Sequence, residues 1–176
     1  LVISKLNLQM IENIDKPALS ALWPNKKGMS VVLDLGANIE CSSKNLFDFS
    51  IMGASLYKSL YPLETPNVAL LNIGSEEFKG NETIKETFKT LREKKSADFN
   101  FSGYIEGNEL MNGNVNVIVS DGFTGNVALK TAEGTANFIT SELKKVLSGN
   151  LLGKISSLLN ISNLKKFKKR LDPRLY

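Results

Sequence analysis

Four short apolar runs in this chain each end in an acidic or amide residue and a glycine. They read VVLDLGAN, ALLNIGSEE, GYIEGNE and VIVSDGFTGN, and they place Gly36, Gly74, Gly107 and Gly122 just after four candidate strands. At least three of the runs lead into a helical pattern, and strands that alternate with helices indicate an α/β fold with a mostly parallel sheet. Such sheets bind ligands outside the carboxyl ends of their strands. We therefore expect these turns to converge on one pocket.

The expected elements follow from hydrophobic periodicity and capping residues. Residues 1–27 are the least readable, and Pro17 and Pro24 bracket a possible short turn of helix. A polar turn at positions 26–28 should follow it. The predicted strands cover residues 31–35, 68–73, 99–105 and 115–119. The predicted helices begin at three caps, which are Ser42 or Ser43, Asn81, and Asn126, with the last helix running to about Leu147.

Composition removes several classes of chemistry. The 176 residues are 42% apolar and 23% charged, as in a globular domain, and no apolar run approaches the ~20 residues of a membrane span. The chain has no histidine, which excludes histidine-based triads, and its one cysteine, Cys41, excludes an internal disulfide. A transition-metal site is disfavoured, whereas carboxylates still permit Mg²⁺. Neither G-x-G-x-x-G nor a P-loop motif is present.

The segment SDGFTGN, residues 120–126, is the strongest candidate site. It joins a buried strand to a long helix, and two glycines at a helix N-terminus can bring N–H groups to an anion. Asn126 and Lys130 lie one helical turn apart and can face the same point. The candidate binding and catalytic residues here are Asp121, Gly122, Phe123, Gly125, Asn126 and Lys130. The alternative is an ordinary strand-to-helix turn with Asp121 as turn former.

Two other turns are weaker candidates. Asn72, Gly74, Lys79 and Asn81 follow the second strand, where a solvated loop with a helix cap is the simpler interpretation. Asp34, Gly36 and Asn38 follow the first strand, and an aspartate inside an apolar run needs a partner because its burial is otherwise costly. Asn38 could hold a substrate oxygen. Cys41 has no activating group nearby in sequence, so a buried or incidental thiol is the simpler interpretation.

The C-terminal segment has a separate pattern. Apolar residues fall on one narrow helical stripe, and a basic cluster gives the chain much of its net charge of +4. The stripe suits an interfacial helix on anionic lipid or a contact with a second subunit, and nucleic acid is disfavoured. We predict residues 1–150 as an α/β core and residues 151–176 as an amphipathic helical pair of the same domain. The stripe is Leu151, Leu152, Ile155, Leu158 and Leu159, and the cluster is Lys165, Lys166, Lys168, Lys169 and Arg170.

The strings LDLGAN, NIG, KGNE, SDGFTGNVALKT and LKKFKKRLDPR occur in this order. Together they resemble the bacterial phosphate acyltransferase (PlsX) family, from about Leu19 to Tyr176. The resemblance implies transfer of a fatty acyl group from acyl carrier protein to inorganic phosphate, giving acyl phosphate for phospholipid synthesis. It also implies a three-layer α/β/α sandwich similar to phosphotransacetylases and isocitrate-type dehydrogenases.

The resemblance further implies a cytoplasmic homodimer that touches the inner face of the cell membrane and requires no cofactor. The family usually has aspartate and histidine where this chain has Glu40 and Asn45, which we interpret as drift. Family chains continue at both ends, so we expect an inactive fragment. Two rival functions stay open: a short-chain phosphotransacetylase that uses acyl-CoA, and a membrane-associated scaffold without activity.

Overall fold

The computed structural model describes residues 14–149, 156 and 158–171, with side chains up to Phe167. Its order of elements is strand, strand, helix, strand, helix, strand, strand, helix and helix, with a 3-10 turn at Gly107–Glu109. The strands are β1 Ser20–Asn25, β2 Gly28–Leu33, β3 Asn67–Asn72, β4 Asn100–Glu106 and β5 Val117–Val119. The helices are α1 Ser43–Leu60, α2 Glu82–Glu93, α3 Gly122–Ser148 and α4 Ile161–Leu171.

The five described strands form one sheet in the order β1-β2-β5-β3-β4. Strands β2, β5, β3 and β4 are parallel, and only β1 runs antiparallel to its neighbour. Leu33 of β2 and Leu70 of β3 both pair with Val119 of β5, so β2 and β5 end at the same level and β3 continues beyond them to Asn72. The predicted mostly parallel α/β sheet is therefore confirmed, and the turns after its parallel strands share one edge.

The first strand corrects the prediction of a helical turn between Pro17 and Pro24. Residues 20–25 instead form β1, which makes a hairpin with β2 through the predicted polar turn at Lys26 and Lys27. Proline cannot donate to a ladder and is tolerated in an edge strand, which is where Pro24 lies. Pairing of Leu22 with Val31 brings apolar residues together, and this tertiary contact outweighs the local proline signal.

Helices α1 and α2 pack together on one face of the sheet. Ser42 begins α1 with a side chain that accepts from the Asn45 N–H, as predicted for one of the two serines. Gly53 of α1 lies so close to the sheet that an added Cβ would stand 2.5 Å from Val117 Cγ1. Residues that alternate with the core-facing ones are buried as well, as in parallel sheets covered on both faces. These are Val32, Ala69 and Ile118.

The chain divides into two compact units between Val127 and Ala128, inside α3. The predicted change at residues 150–151 lies outside the described residues and stays a prediction. α4 carries the predicted basic helix, with Lys165 and Lys166 exposed. In the part of the chain that the structure describes, no helix combines the length and the apolar character needed to cross a bilayer.

Candidate functional site

Asp34 organises the turn after β2. Its side chain is fully buried, and its two oxygens accept five hydrogen bonds of 2.7 to 3.1 Å. The donors are the N–H groups of Leu19, Gly36, Ala37 and Asn38 and the Asn38 side-chain amide. A buried carboxylate is tolerated when N–H donors surround it. The sequence predicted that a buried Asp34 needs a partner, and the structure shows that this partner is the set of N–H groups of its own turn. The carboxylate therefore holds the turn in one conformation.

Asn38 is a part of this network. Its amide group donates to Asp34 Oδ2 and to the Pro17 carbonyl, both at 2.7 Å. Its backbone carbonyl accepts the Gly122 N–H at 2.8 Å, which joins the turn after β2 to the start of α3. In this conformation the Asn38 amide hydrogens hold the protein chain and are not available to a ligand. The sequence hypothesis of a substrate contact remains open only for its side-chain oxygen.

Asp121 begins the long helix α3. Its Oδ1 accepts the Thr124 N–H at 2.7 Å and its Oδ2 accepts the Thr124 hydroxyl at 2.9 Å. This is the bonding of an N-cap residue. The prediction that Asn126 caps the helix was wrong, because the chain leaves β5 at Ser120 and enters the helix at Gly122. Asn126 is instead an exposed residue of the first helical turns.

Two glycines let α3 approach the carboxyl ends of the strands. A Cβ on Gly122 would lie 2.6 Å from the Asn38 carbonyl oxygen. A Cβ on Gly125 would lie 2.7 Å from Ser120 Oγ and closer still to the Asp34 carbonyl oxygen. The same two glycines donate their N–H groups, Gly122 to Asn38 O and Gly125 to Asp121 O. The predicted cradle of free N–H groups at these positions is therefore not formed here, and their structural role is close approach.

The turn after β3 is closed by Asn72, whose amide donates to the Gly74 and Lys79 carbonyls at 3.2 Å. Gly80 adopts a φ of 92°, and a Cβ there would lie 2.5 Å from Asn72 Oδ1. Asn81 caps α2 by accepting the Ile84 N–H, as predicted. Asn72 thus positions the turn, while Gly74 is buried within it and Lys79 lies partly exposed.

Three of the four predicted turns converge on one cleft of about 460 Å³. Ile39, Glu40 and Cys41 line it from the turn after β2. Asn81 and Thr83 line it from the end of the turn after β3 and the start of α2, and Asp121, Phe123 and Thr124 line it from the end of the turn after β5 and the start of α3. Its volume falls within the range of small-molecule sites. The fourth turn, at Gly107, contributes nothing to this lining among the residues described.

Asn126 and Gly36 adjoin the cleft. Gly36 has a φ of 130°, and a Cβ built on it would lie 3.5 Å from Asn126 Cβ, so the two residues are in contact across the turns. Phe123, which lines the cleft, is three residues before Asn126 and therefore neighbours it on the helix surface. Lys130 belongs to the second unit, is exposed, and pairs with Glu133 at 2.8 Å.

Cys41 donates weakly to the Asn38 carbonyl at 3.6 Å, and burial raises the pKa of its thiol. The thiol is therefore protonated at neutral pH and is a poor nucleophile. Of the two positions at which the resemblance implies other residues, Glu40 lies on the cleft. Asn45 is buried in the cap of α1, where its side chain accepts the Ser42 N–H at 3.0 Å, and it does not line the cleft.

Sequence reasoning missed the apolar residues of the cleft. Leu46 and Ile84 are buried residues of α1 and α2, and both also line the cleft. Ile39 drew no interpretation, although it is 70% exposed. The position of Ile39, directly after the Gly-Ala-Asn turn, could have indicated that its side chain lies at the site.

The C-terminal stripe is described in part. Leu158 and Leu159 are 70% and 81% exposed, whereas Leu151, Leu152 and Ile155 lie outside the described residues. Lys168, Lys169 and Arg170 fall within α4, and the structure describes no side chain for them. The described part of the stripe thus presents an apolar surface within its own unit.

Comparison with known proteins supplies relatives along the whole chain. A phosphate acyltransferase of Pelagibacter ubique is 82% identical over 176 residues, all of this chain and 53% of the relative. Those of Maricaulis maris and Caulobacter vibrioides are 43% and 46% identical, over 99% and 98% of this chain and 50% and 48% of their own lengths. The chain thus spans about half the length of the curated relatives it matches.

A solved structure supports the fold. The EutD phosphotransacetylase from Staphylococcus aureus matches with a TM-score of 0.57 and 16% identity, over 72% of this chain and 44% of that one. At this identity the likeness concerns the fold alone, and it agrees with the predicted phosphotransacetylase-like architecture. The family model described as "Fatty acid synthesis protein" matches residues 1–176. The chain therefore belongs to this family, that of the bacterial phosphate acyltransferases.

Proposed function

We propose that the full-length protein transfers a fatty acyl group from the thioester of acyl carrier protein to inorganic phosphate. The observation that carries this proposal is the 82% identity to a phosphate acyltransferase along the entire chain. The product, acyl phosphate, would supply phospholipid synthesis. The cleft formed by the turns after β2, β3 and β5 is the proposed location of the reaction.

The reaction suits a site without histidine or a reactive cysteine. A phosphate oxygen attacks the thioester carbonyl carbon, a C–O bond forms, and the C–S bond breaks. The electron pair leaves with sulfur, and the thiolate takes up one proton. Phosphate is already a nucleophile, so the protein has to orient two reactants and stabilise the oxyanion that forms between them. No oxidant, reductant or covalent enzyme intermediate is needed.

We assign the residues different tasks. The exposed Asn126 amide, in contact with Gly36, is the proposed donor to phosphate or to the oxyanion. Asp121 has both oxygens engaged by Thr124, so its proposed task is to position the start of α3 and not to transfer protons. Asp34 and Asn72 hold their turns in the same way. Lys79 is the proposed cation for the charge of phosphate, and the role predicted for Lys130 stays a prediction from the sequence.

The test is acyl phosphate formation by the full-length protein with palmitoyl acyl carrier protein and phosphate. Asn126→Ala should lower kcat/KM by roughly 100-fold, the scale of losing one oxyanion donor. Asn114→Ala is the matched control, because Asn114 is an exposed asparagine in the turn before β5, at the opposite ends of the strands. Equal activity of the two variants would remove Asn126 from the site.

The same assay separates the rival functions. Preference for acetyl-CoA over long-chain acyl carrier protein would identify a short-chain phosphotransacetylase. The absence of any acyl phosphate with either donor would favour the scaffold. The chain is similar to phosphate acyltransferases over its whole length, which favours acyl transfer from acyl carrier protein to phosphate over both rivals.

We propose two surface partners for the C-terminal segment. The basic cluster that begins with Lys165 and Lys166 would attract acidic acyl carrier protein, with encounter rates that fall as salt rises. The apolar stripe that includes Leu158 would contact anionic lipid or the second subunit of a homodimer. Leu158→Glu should release the full-length protein from anionic vesicles, with Ser162→Glu on an exposed position of α4 as control. Loss of the dimer instead would assign the stripe to the subunit interface.

A further inference from the structure

The charged groups of the cleft have one sign. Glu40 and Asp121 line it, and no lysine or arginine does so among the residues described. A cation reaches this turn from outside the lining, because the Lys16 ammonium donates to the Glu40 backbone carbonyl at 2.9 Å. A phosphate dianion placed between two carboxylates would be repelled by both, and a site partly shielded from water strengthens that repulsion. The lining therefore suits an uncharged ligand.

The rest of the lining is mixed: Asn81, Thr83 and Thr124 are polar, and four large apolar side chains lie among them. Leu46 and Ile84 form buried parts of it, at 1% and 5% exposure. Ile39 and Phe123 line it while remaining 70% and 63% exposed. Large apolar side chains held together at the surface mark places where an apolar partner binds. Both residues sit on turns whose backbone is fixed, since Asp34 holds one turn and Asp121 the other.

Cys41 adds a neutral, protonated thiol to this lining, because burial raises its pKa. Its thiol and the two exposed apolar side chains belong to the apolar part of this mixed lining. Asn126 and Gly36, which suit phosphate, do not line the cleft but adjoin it through Phe123. The two chemistries that the reaction needs are thus separated by about one turn of α3.

We propose that this cleft binds the acyl chain of the thioester beside its carbonyl, with Ile39 and Phe123 as specificity-determining residues, and that phosphate approaches from the side of Asn126 and Gly36. This inference rests on the proposed acyl transfer and adds a division of the site into an apolar and an anion subsite. The acyl carbonyl lies at the boundary between them. Glu40 and Asp121 keep phosphate out of the apolar subsite.

The kinetic test uses the full-length protein. Phe123→Ala and Ile39→Ala should each raise the KM for palmitoyl acyl carrier protein roughly 10-fold and leave the KM for phosphate unchanged. Phe78→Ala and Ile73→Ala are matched controls, because both side chains are exposed in the turn after β3 and neither lines the cleft. A rise in the KM for phosphate in Phe123→Ala or Ile39→Ala, with the KM for palmitoyl acyl carrier protein unchanged, would place phosphate in the cleft and overturn the division.

A binding test does not depend on turnover. Cys41 is the only cysteine of this chain, and a Cys41→Ser variant of the full-length protein measures any labelling elsewhere. An uncharged maleimide should react with Cys41 more slowly in the presence of a non-hydrolysable palmitoyl thioester analogue, and at an unchanged rate with phosphate alone. Protection by phosphate and not by the analogue would overturn the inference.

These results separate the two levels of the argument. If the full-length protein forms acyl phosphate normally and neither Phe123→Ala nor Ile39→Ala changes the kinetics, the acyl cleft is overturned and the proposed function stays intact. Protection of Cys41 by the analogue in a protein that forms no acyl phosphate supports the cleft and overturns the proposed function. Thermal unfolding of each variant identifies one that has lost its fold. The labelling of the wild-type protein then decides the question alone.

Discussion

Replacement of Gly125 by alanine tests whether α3 is seated directly on the ends of the strands. The added Cβ would lie 2.7 Å from Ser120 Oγ and closer to the Asp34 carbonyl oxygen, which is main chain and cannot rotate away. The helix has to move by roughly 1 Å or more, and overpacking of this kind costs about 1–3 kcal/mol. Alanine returns about 1 kcal/mol through helix propensity. We take the upper end of the overpacking range and expect a net loss of about 2 kcal/mol.

Gly134→Ala is the matched control, because Gly134 lies in the same helix and a Cβ there would meet nothing within 4 Å. It should stabilise the protein by about 0.5–1 kcal/mol. Urea unfolding of the full-length protein, followed by far-UV circular dichroism, measures both changes. If Gly125→Ala is as stable as Gly134→Ala and equally active, the close approach of α3 to Asp34 is refuted.

Three further predictions concern the turns and the core. Asp34→Asn should cost about 3 kcal/mol in urea unfolding, because an amide cannot accept from all the N–H groups that the carboxylate serves. The exposed Asp98→Asn should stay within about 0.5 kcal/mol, and equal effects would contradict the role of Asp34. Burial and then the Glu64 hydrogen bond raise the pKa of Tyr57 to about 12. The stabilisation from protonated Tyr57 should therefore be complete below pH 10 and lost towards pH 12, and Tyr57→Phe should make this decline smaller, leaving the part due to Tyr104, whose pKa is also raised by burial. Gly53→Ala should destabilise by about 2 kcal/mol, since its Cβ would meet Val117 and Leu33 and helix propensity offsets about 1 kcal/mol of that overpacking, and an unchanged unfolding midpoint would refute that packing.

Much of the architecture was predictable because the signals for it are local and agree with one another. The apolar runs at Val31, Val68 and Val117 mark buried strands, and Ser42 and Asn81 begin the following helices as their side chains suggest. Parallel pairing then places the following turns at one edge. The convergence of three of them on a cleft follows from topology alone.

The errors arose where a distant contact decides the outcome. Pro24 reads locally as a helix boundary, but pairing of β1 with β2 places it in an edge strand. Asp121 and Asn126 are both good capping residues, and the hydrogen bond from Ser120 to Leu33 decides between them by fixing where the chain leaves the sheet. No short-range pattern reveals this.

The sequence also could not predict which backbone N–H groups at the site are free to bind a ligand. Glycine-rich turns predict free donors, but the turn after β2 directs its N–H groups inward onto Asp34. The Gly122 N–H donates its hydrogen bond to the Asn38 carbonyl. Only the three-dimensional path of the chain shows that these turns are held together by the groups that were expected to hold a ligand.

The most direct test of the account is a crystal structure of the full-length protein with phosphate and a non-hydrolysable palmitoyl thioester analogue. The account predicts acyl density bounded by Ile39, Ile84 and Phe123, with phosphate beside Asn126 and Gly36. Acyl density bound elsewhere, with this cleft empty, would contradict the claim that the turns after β2, β3 and β5 form the acyl-transfer site.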